Sequence, residues 1–157
     1  MAEAKPLVPV LGLSHIAMRV TDLNRAIDYY DRLFGFRLFL DKRNAVAEGA
    51  SPSVVGMLGD TAVELIETRE PAIRRGREEP GYGCLAFGVA DVEAALEALK
   101  SRGLTRFPEV ALTDSGHKVM LFRDPDGNVL ELIEVIGAPT LAALAKASLA
   151  ETAAKAG

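Results

Sequence analysis

The stretch His15-Ile-Ala-Met-Arg-Val20-Thr-Asp22-Leu-Asn-Arg-Ala26-Ile27 returns sixty-nine positions later as Cys84-Leu-Ala-Phe-Gly-Val89-Ala-Asp91-Val-Glu-Ala-Ala95-Leu96. Ala17/Ala86, Val20/Val89, Asp22/Asp91 and Ala26/Ala95 are identical, and the apolar positions between them stay apolar. Each copy ends on the same quartet, Glu64-Leu-Ile-Glu67 and Glu131-Leu-Ile-Glu134. Self-similarity of this length implies two supersecondary units with one architecture. It makes His15 equivalent to Cys84 and Glu64 equivalent to Glu131.

Working outward, Ile16, Met18 and Val20 alternate with His15, Ala17 and Arg19, the period of a strand with one apolar face. Asp22 then predicts a helix N-cap, Leu23 to Leu33 a helix, and Gly35 its stop. Strands are expected at Phe36 to Leu40, Val54 to Leu58 and Ala62 to Glu67, with 41–53 as a loop. Leu85, Phe87 and Val89 repeat the first strand's apolar face. Asp91 caps a helix from Val92 to Ser101 that Gly103 ends. Strands follow at Arg106 to Leu112, Lys118 to Arg123 and Val129 to Val135, the last two joined by the turn Asp124-Pro-Asp-Gly127. Residues 1–10 read as a loose leader. An Ala-rich helix over 138–156, with Leu141, Leu144 and Leu149 toward one side, would cover sheet or meet a second subunit. The fold class expected is α+β, built from two modules. Within a single domain these are module one (11–67), a connector (68–82), module two (83–136) and the C-terminal helix (138–156).

The 157 residues are enough for one domain with a sizeable core. A formal charge of −4 and a pI near 5.3, with no basic stripe, argue against a nucleic-acid or anionic-membrane partner. The cluster Arg74-Arg75-Gly-Arg77 runs into Glu78-Glu79 and reads as a solvated linker. One cysteine excludes an intramolecular disulfide and fits a reducing compartment. No apolar run approaches the length of about eighteen residues that suggests a membrane span. A cytoplasmic, soluble protein is expected.

Alternation decides which side chains share a surface. With Ile16, Met18 and Val20 facing the helices, His15 faces away, and so does Cys84 in the second copy. Val63 and Leu65, and Leu130 and Leu132, are buried by the same count, so Glu64 and Glu131 join that second face. One imidazole, two carboxylates and a thiol are a set of metal ligands. Glu is disfavoured inside strands, so its recurrence at one point of both copies asks for a reason. Cys84 equally fits a small buried hydrophobe, and Glu67 and Glu134 fit solvated strand ends. Arg19 shares the face and could hold a substrate carboxylate, or be a plain exposed arginine. His117, after Gly116, could contact substrate as a second base, although structural or solvent roles lead.

The patterns His15-x-x-x-Arg-Val-x-Asp-Leu-x-x-Ala-Ile-x-Tyr-Tyr with Leu-Phe-Gly-Phe36, Val-Glu64-Leu, and Asp-Pro-Asp-Gly127-Asn-Val-Leu-Glu131-Leu resemble the vicinal oxygen chelate superfamily over about residues 11–136. That family includes glyoxalase I, extradiol dioxygenases, methylmalonyl-CoA epimerase, and the fosfomycin and bleomycin resistance proteins. The resemblance implies βαβββ modules paired into a half-open, barrel-like mixed sheet around a divalent metal, commonly in a homodimer. It matches His15 to the first metal ligand, Glu131 to the last, and Glu64 to a carboxylate or amide that some members use. Cys84 stands where the family usually has a second His. If its thiolate ligates, Zn²⁺ or Fe²⁺ is favoured; otherwise Mn²⁺, Ni²⁺ or Mg²⁺ remains open.

The leading expectation is a lyase or isomerase of glyoxalase or epimerase type. It would act on a small-molecule substrate through a metal-chelated enediolate, with Glu64 or Glu131 moving the proton and Glu64 preferred. A metal-free dimeric protein that binds a drug or metabolite is the alternative. A dioxygenase with an altered metal triad ranks below the lyase or isomerase, because Cys84 removes one of the two His it needs and a thiolate beside activated oxygen is prone to oxidation.

Overall fold

The computed structural model describes residues 12–44, 49–70, 80–106 and 108–156. The leader and the Arg74–Arg77 cluster lie outside these. Two compact units, 1–69 and 70–157, each contain one βαβββ module.

In the first unit, β1 (Ile16–Val20), α1 (Leu23–Phe34), β2 (Arg37–Asp41), β3 (Ser53–Leu58) and β4 (Thr61–Glu67) form an open sheet of order β1-β4-β3-β2. β1 runs parallel to β4, and the other pairs are antiparallel. The helix starts where Asp22 accepts the Arg25 N–H at 3.0 Å. It stops at Gly35, whose φ of 67° is a left-handed cap that costs glycine little. Met18, Val20, Val63 and Leu65 pack under α1, whose Tyr30 is 1% exposed. Gly56 in β3 lets the Phe36 ring lie on the strand, since a Cβ there would come within 2.3 Å of it.

The second unit repeats the plan with β5 (Leu85–Gly88), α2 (Val92–Ser101), β6 (Ala111–Leu112), β7 (Lys118–Arg123) and β8 (Val129–Glu134), in the order β5-β8-β7-β6. Asp91 caps α2 by accepting the Ala94 N–H at 2.8 Å. The expected turn is built on buried Asp124. Its carboxylate accepts the backbone N–H groups of Asp126 and Asn128 at 2.9 and 2.8 Å, and the Asn128 side-chain amide at 2.8 Å.

The sequence expectations need correction at three places. Among the described residues, the strand expected from Arg106 to Leu112 pairs only at Ala111–Leu112; Pro108 has no N–H for a ladder, and β6 is an edge. The last helix, α3, spans Leu141–Ala156, starting at Thr140, whose hydroxyl accepts the Ala143 N–H. It covers no sheet: no side chain over 141–155 is buried, and Leu141 and Leu149 are 51% and 70% exposed. The chain leading into α3 does cross β5, where a Cβ on Gly88 would meet the Pro139 carbonyl at 2.2 Å.

The third correction concerns Glu67 and Glu134, which are not merely solvated. Each accepts the first N–H of its module's helix at 3.1 Å, Leu23 for Glu67 and Val92 for Glu134. An acid at a helix start also complements the helix dipole. The second Glu of each repeated quartet is therefore a mooring between closing strand and helix.

Candidate metal centre

In the first unit, β1 pairs with β4 so that Ala17 lies opposite Glu64, which brings His15, just before β1, to the same face. His15 Nε2 stands 3.7 Å from Glu64 Oε2. Two ligands each about 2.0–2.2 Å from one ion can be up to about 4.3 Å apart, so this pair fits a shared divalent cation. The other imidazole nitrogen, Nδ1, is 3.1 Å from Ser14 Oγ. On the other side of the carboxylate, buried Ser53 donates its hydroxyl to Glu64 Oε1 at 3.0 Å, leaving Oε2 toward the imidazole. Ser53 is a positioning residue that sequence reading left inside the 41–53 loop.

A cavity of about 250 Å³ opens here, lined by Ser14, His15, Phe39, Lys42, Val55, Ala62 and Glu64. Arg19, exposed on the same face, lies opposite Ile66, one side-chain step beyond the Glu64 rung. That step is two residues, about 7 Å along the strand.

The second unit repeats the geometry with its altered letter. Ala86 lies opposite Glu131, and Cys84 Sγ donates to Glu131 Oε2 at 3.3 Å. This pair is also close enough for one ion, a Zn–S bond being about 2.3 Å. Cys84 is exposed, not the buried hydrophobe its residue type also allowed, yet partial desolvation of the sulfur pushes its thiol up to about 11, reinforced by its hydrogen bond to Glu131 and by that carboxylate's charge. A metal would have to displace the thiol proton to gain this ligand.

His117 stands apart from the Cys84/Glu131 pair. It is 8% exposed, and its Nδ1 accepts the Ile136 N–H at 3.0 Å while its backbone N–H donates to Thr113 Oγ1. The register begins with Lys118 opposite Glu134, the last residue of β8, so His117 lies beyond the end of the ladder, more than three residues from the Glu131 rung. Its imidazole holds a backbone donor beyond the strand end.

Among the described residues, Asp91, Glu93 and Glu134 also cluster. Their partners already explain them: Asp91 and Glu134 hold the start of α2, and Lys118 Nζ lies 3.0 Å from Glu93 and 3.9 Å from Glu134.

Residues 12–132 match the model of the Glyoxalase/Bleomycin resistance protein/Dioxygenase superfamily. The chain belongs to this vicinal oxygen chelate family. A lactoylglutathione lyase from Haemophilus influenzae is 31% identical over 79% of this chain and 93% of its own. Among solved structures, a glyoxalase family protein from Enterococcus faecalis superposes with a TM-score of 0.69 at 26% identity, covering 79% of this chain and 98% of that one. A mutant of the fosfomycin resistance protein FosX from Listeria monocytogenes, complexed with Mn(II) and 1S,2S-dihydroxypropylphosphonic acid, shares the fold. Its TM-score is 0.65 at 21% identity, over 88% of this chain and 99% of that one. Among the described residues no helix is long and apolar enough to cross a membrane.

Proposed function

We propose that this protein is a divalent-metal-dependent lyase or isomerase of glyoxalase type, with His15, Glu64, Cys84 and Glu131 as its metal ligands. The observation that carries the reading is the same donor pairing at the equivalent place of both modules, 3.7 Å for His15/Glu64 and 3.3 Å for Cys84/Glu131. Family membership and the lactoylglutathione lyase relatives support it. When bound, the ion supplies Lewis-acid stabilisation of negative charge developing on two neighbouring substrate oxygens.

The chain's own residues do the rest. Glu64 takes the proton from the carbon beside the polarised oxygen and returns it to the adjacent carbon, a net isomerisation that needs no oxidant. Ser53 holds Oε1 and so orients the carboxylate. Glu131 is the second carboxylate able to carry it. Arg19 is the candidate to hold a substrate carboxylate on the same face. A thiol in the ligand set favours Zn²⁺ or Fe²⁺. We place the protein in the cytoplasm and expect a homodimer.

Elemental analysis after incubation with Zn²⁺, Fe²⁺, Mn²⁺ or Ni²⁺ tests the reading, followed by assay of lactoylglutathione formation and breakdown. One ion per chain, lost in both His15→Ala and Glu131→Ala, is the expected result. A chain that takes up no ion under any condition would instead be a metal-free binding protein.

A further inference from the structure

The pairing of β2 with β3 contains an irregularity that decides which charge reaches the His15/Glu64 cavity. Leu38 lies opposite Gly56, yet the next pair is Leu40 with Val55, so Phe39 is an extra residue. A bulge of this kind re-aims the side chains beyond it, because one residue of slip exchanges the two faces of a strand. After the bulge, Asp41 pairs with Val54, on the face turned to α1. The Lys42 N–H then bonds the Ser53 carbonyl at 2.9 Å, and Lys42 lines the cavity with Phe39. Without the bulge, Asp41 would take the cavity face and Lys42 the other.

The neighbouring charges are tied off on the opposite side. Arg43 Nε donates to Asp41 at 3.0 Å, and a terminal nitrogen of Arg43 donates to Asn24 of α1 at 2.6 Å. No carboxylate among the described residues forms an ion pair with Lys42. Lys42 and Phe39 thus line the same cavity as the His15 imidazole and the Glu64 carboxylate.

We propose that Lys42 is a specificity-determining residue that receives an anionic group of the substrate, so that the substrate class is small organic acids, carboxylate or phosphonate, bearing two vicinal oxygens. This rests on the metal reading above. The vicinal oxygens belong beside the His15/Glu64 pair, and the acid group belongs at Lys42, which lines this cavity where Arg19 does not. The cavity lies below the roughly 300–1,000 Å³ of pockets that take drug-sized ligands, which suits a compact acid.

The test compares two hydroxamates on Mn(II)-loaded protein by calorimetry at low salt. Acetohydroxamate offers two vicinal oxygens alone, and succinomonohydroxamate adds a carboxylate. Wild type is expected to bind the second about three- to tenfold more tightly, the size of one charge-assisted contact at a partly exposed site. Lys42→Met should abolish that preference while leaving metal content and acetohydroxamate affinity unchanged. Lys100→Met, on α2, should behave as wild type. Added salt should shrink the wild-type preference.

A preference that persists in Lys42→Met overturns the role of Lys42 and leaves the metal reading standing. Equal affinity of wild type for both hydroxamates overturns the substrate class. Protein that takes up no Mn(II) and binds neither hydroxamate overturns both readings.

Discussion

Cys84 offers a direct probe of the altered half of the centre, because it is the chain's one cysteine and any thiol signal belongs to it. Its thiol is pushed up to about 11 by burial and by the Glu131 carboxylate. At pH 8 an ordinary thiol near 8.5 is about a quarter thiolate, whereas one at about 11 is about a thousandth. That deficit of roughly 240-fold is partly offset, since the more basic thiolate is intrinsically more nucleophilic by roughly 10- to 18-fold. Metal-free protein should therefore react with an aromatic disulfide reagent roughly twentyfold more slowly than a free thiol at pH 8. The rate should keep rising close to tenfold per pH unit beyond pH 9, where a free thiol levels off.

Glu131→Gln removes the acceptor's charge, which should lower the thiol's pKa and raise the rate at pH 8. Zinc added to wild type should release the thiol proton and block the reagent, as expected for a thiolate ligand. A plateau near pH 9, or no response to Glu131→Gln, would refute the coupling of Cys84 to Glu131. Zinc binding that leaves the rate unchanged would remove Cys84 from the ligand set.

Gly56→Ala should cost about 1–3 kcal/mol in urea unfolding, because its Cβ collides with the buried Phe36 ring, whereas a cost below about 0.5 kcal/mol would mean that the ring yields. Glu67→Ala and Glu134→Ala should each lose about 1 kcal/mol, similar to each other, since each leaves one helix-start N–H without its acceptor; metal content should not change. His117→Ala should cost about 1–3 kcal/mol by stranding the Ile136 N–H, with metal content and substrate KM unaltered; a changed KM would return His117 to the site. Ser53→Ala should lower kcat more than it weakens metal binding, read by paired kinetics and metal titration, because it frees Glu64 Oε1 while leaving Oε2 facing His15.

The parts legible in sequence were those governed by strict local periods. Alternation put His15, Glu64, Cys84 and Glu131 on the faces away from the helices, and within each module the register agrees, with Ala17 opposite Glu64 and Ala86 opposite Glu131. Asp22, Asp91 and Gly35 act where their capping chemistry predicts. The features that escaped depend on partners distant in the chain. The carboxylates of Glu67 and Glu134 reach helices forty-four and forty-two residues away. Ser53 looks like loop until β3 pairs with β4. The bulge at Phe39 falls in the apolar run Leu38-Phe39-Leu40, where no polar letter marks a change of face. His117 gave no register of its own, and its acceptor role needs Ile136 folded back beside it.

The doubled Glu-Leu-Ile-Glu strands bear on how such a chain can change. Residues three apart on a strand face opposite ways, so Glu67 and Glu134 moor helices on one side while Glu64 and Glu131 look to the other. Replacing the acid on the reactive side leaves the mooring intact. Each module can thus trade one donor for another, as His15 and Cys84 differ between the copies, without loosening the framework that aims it.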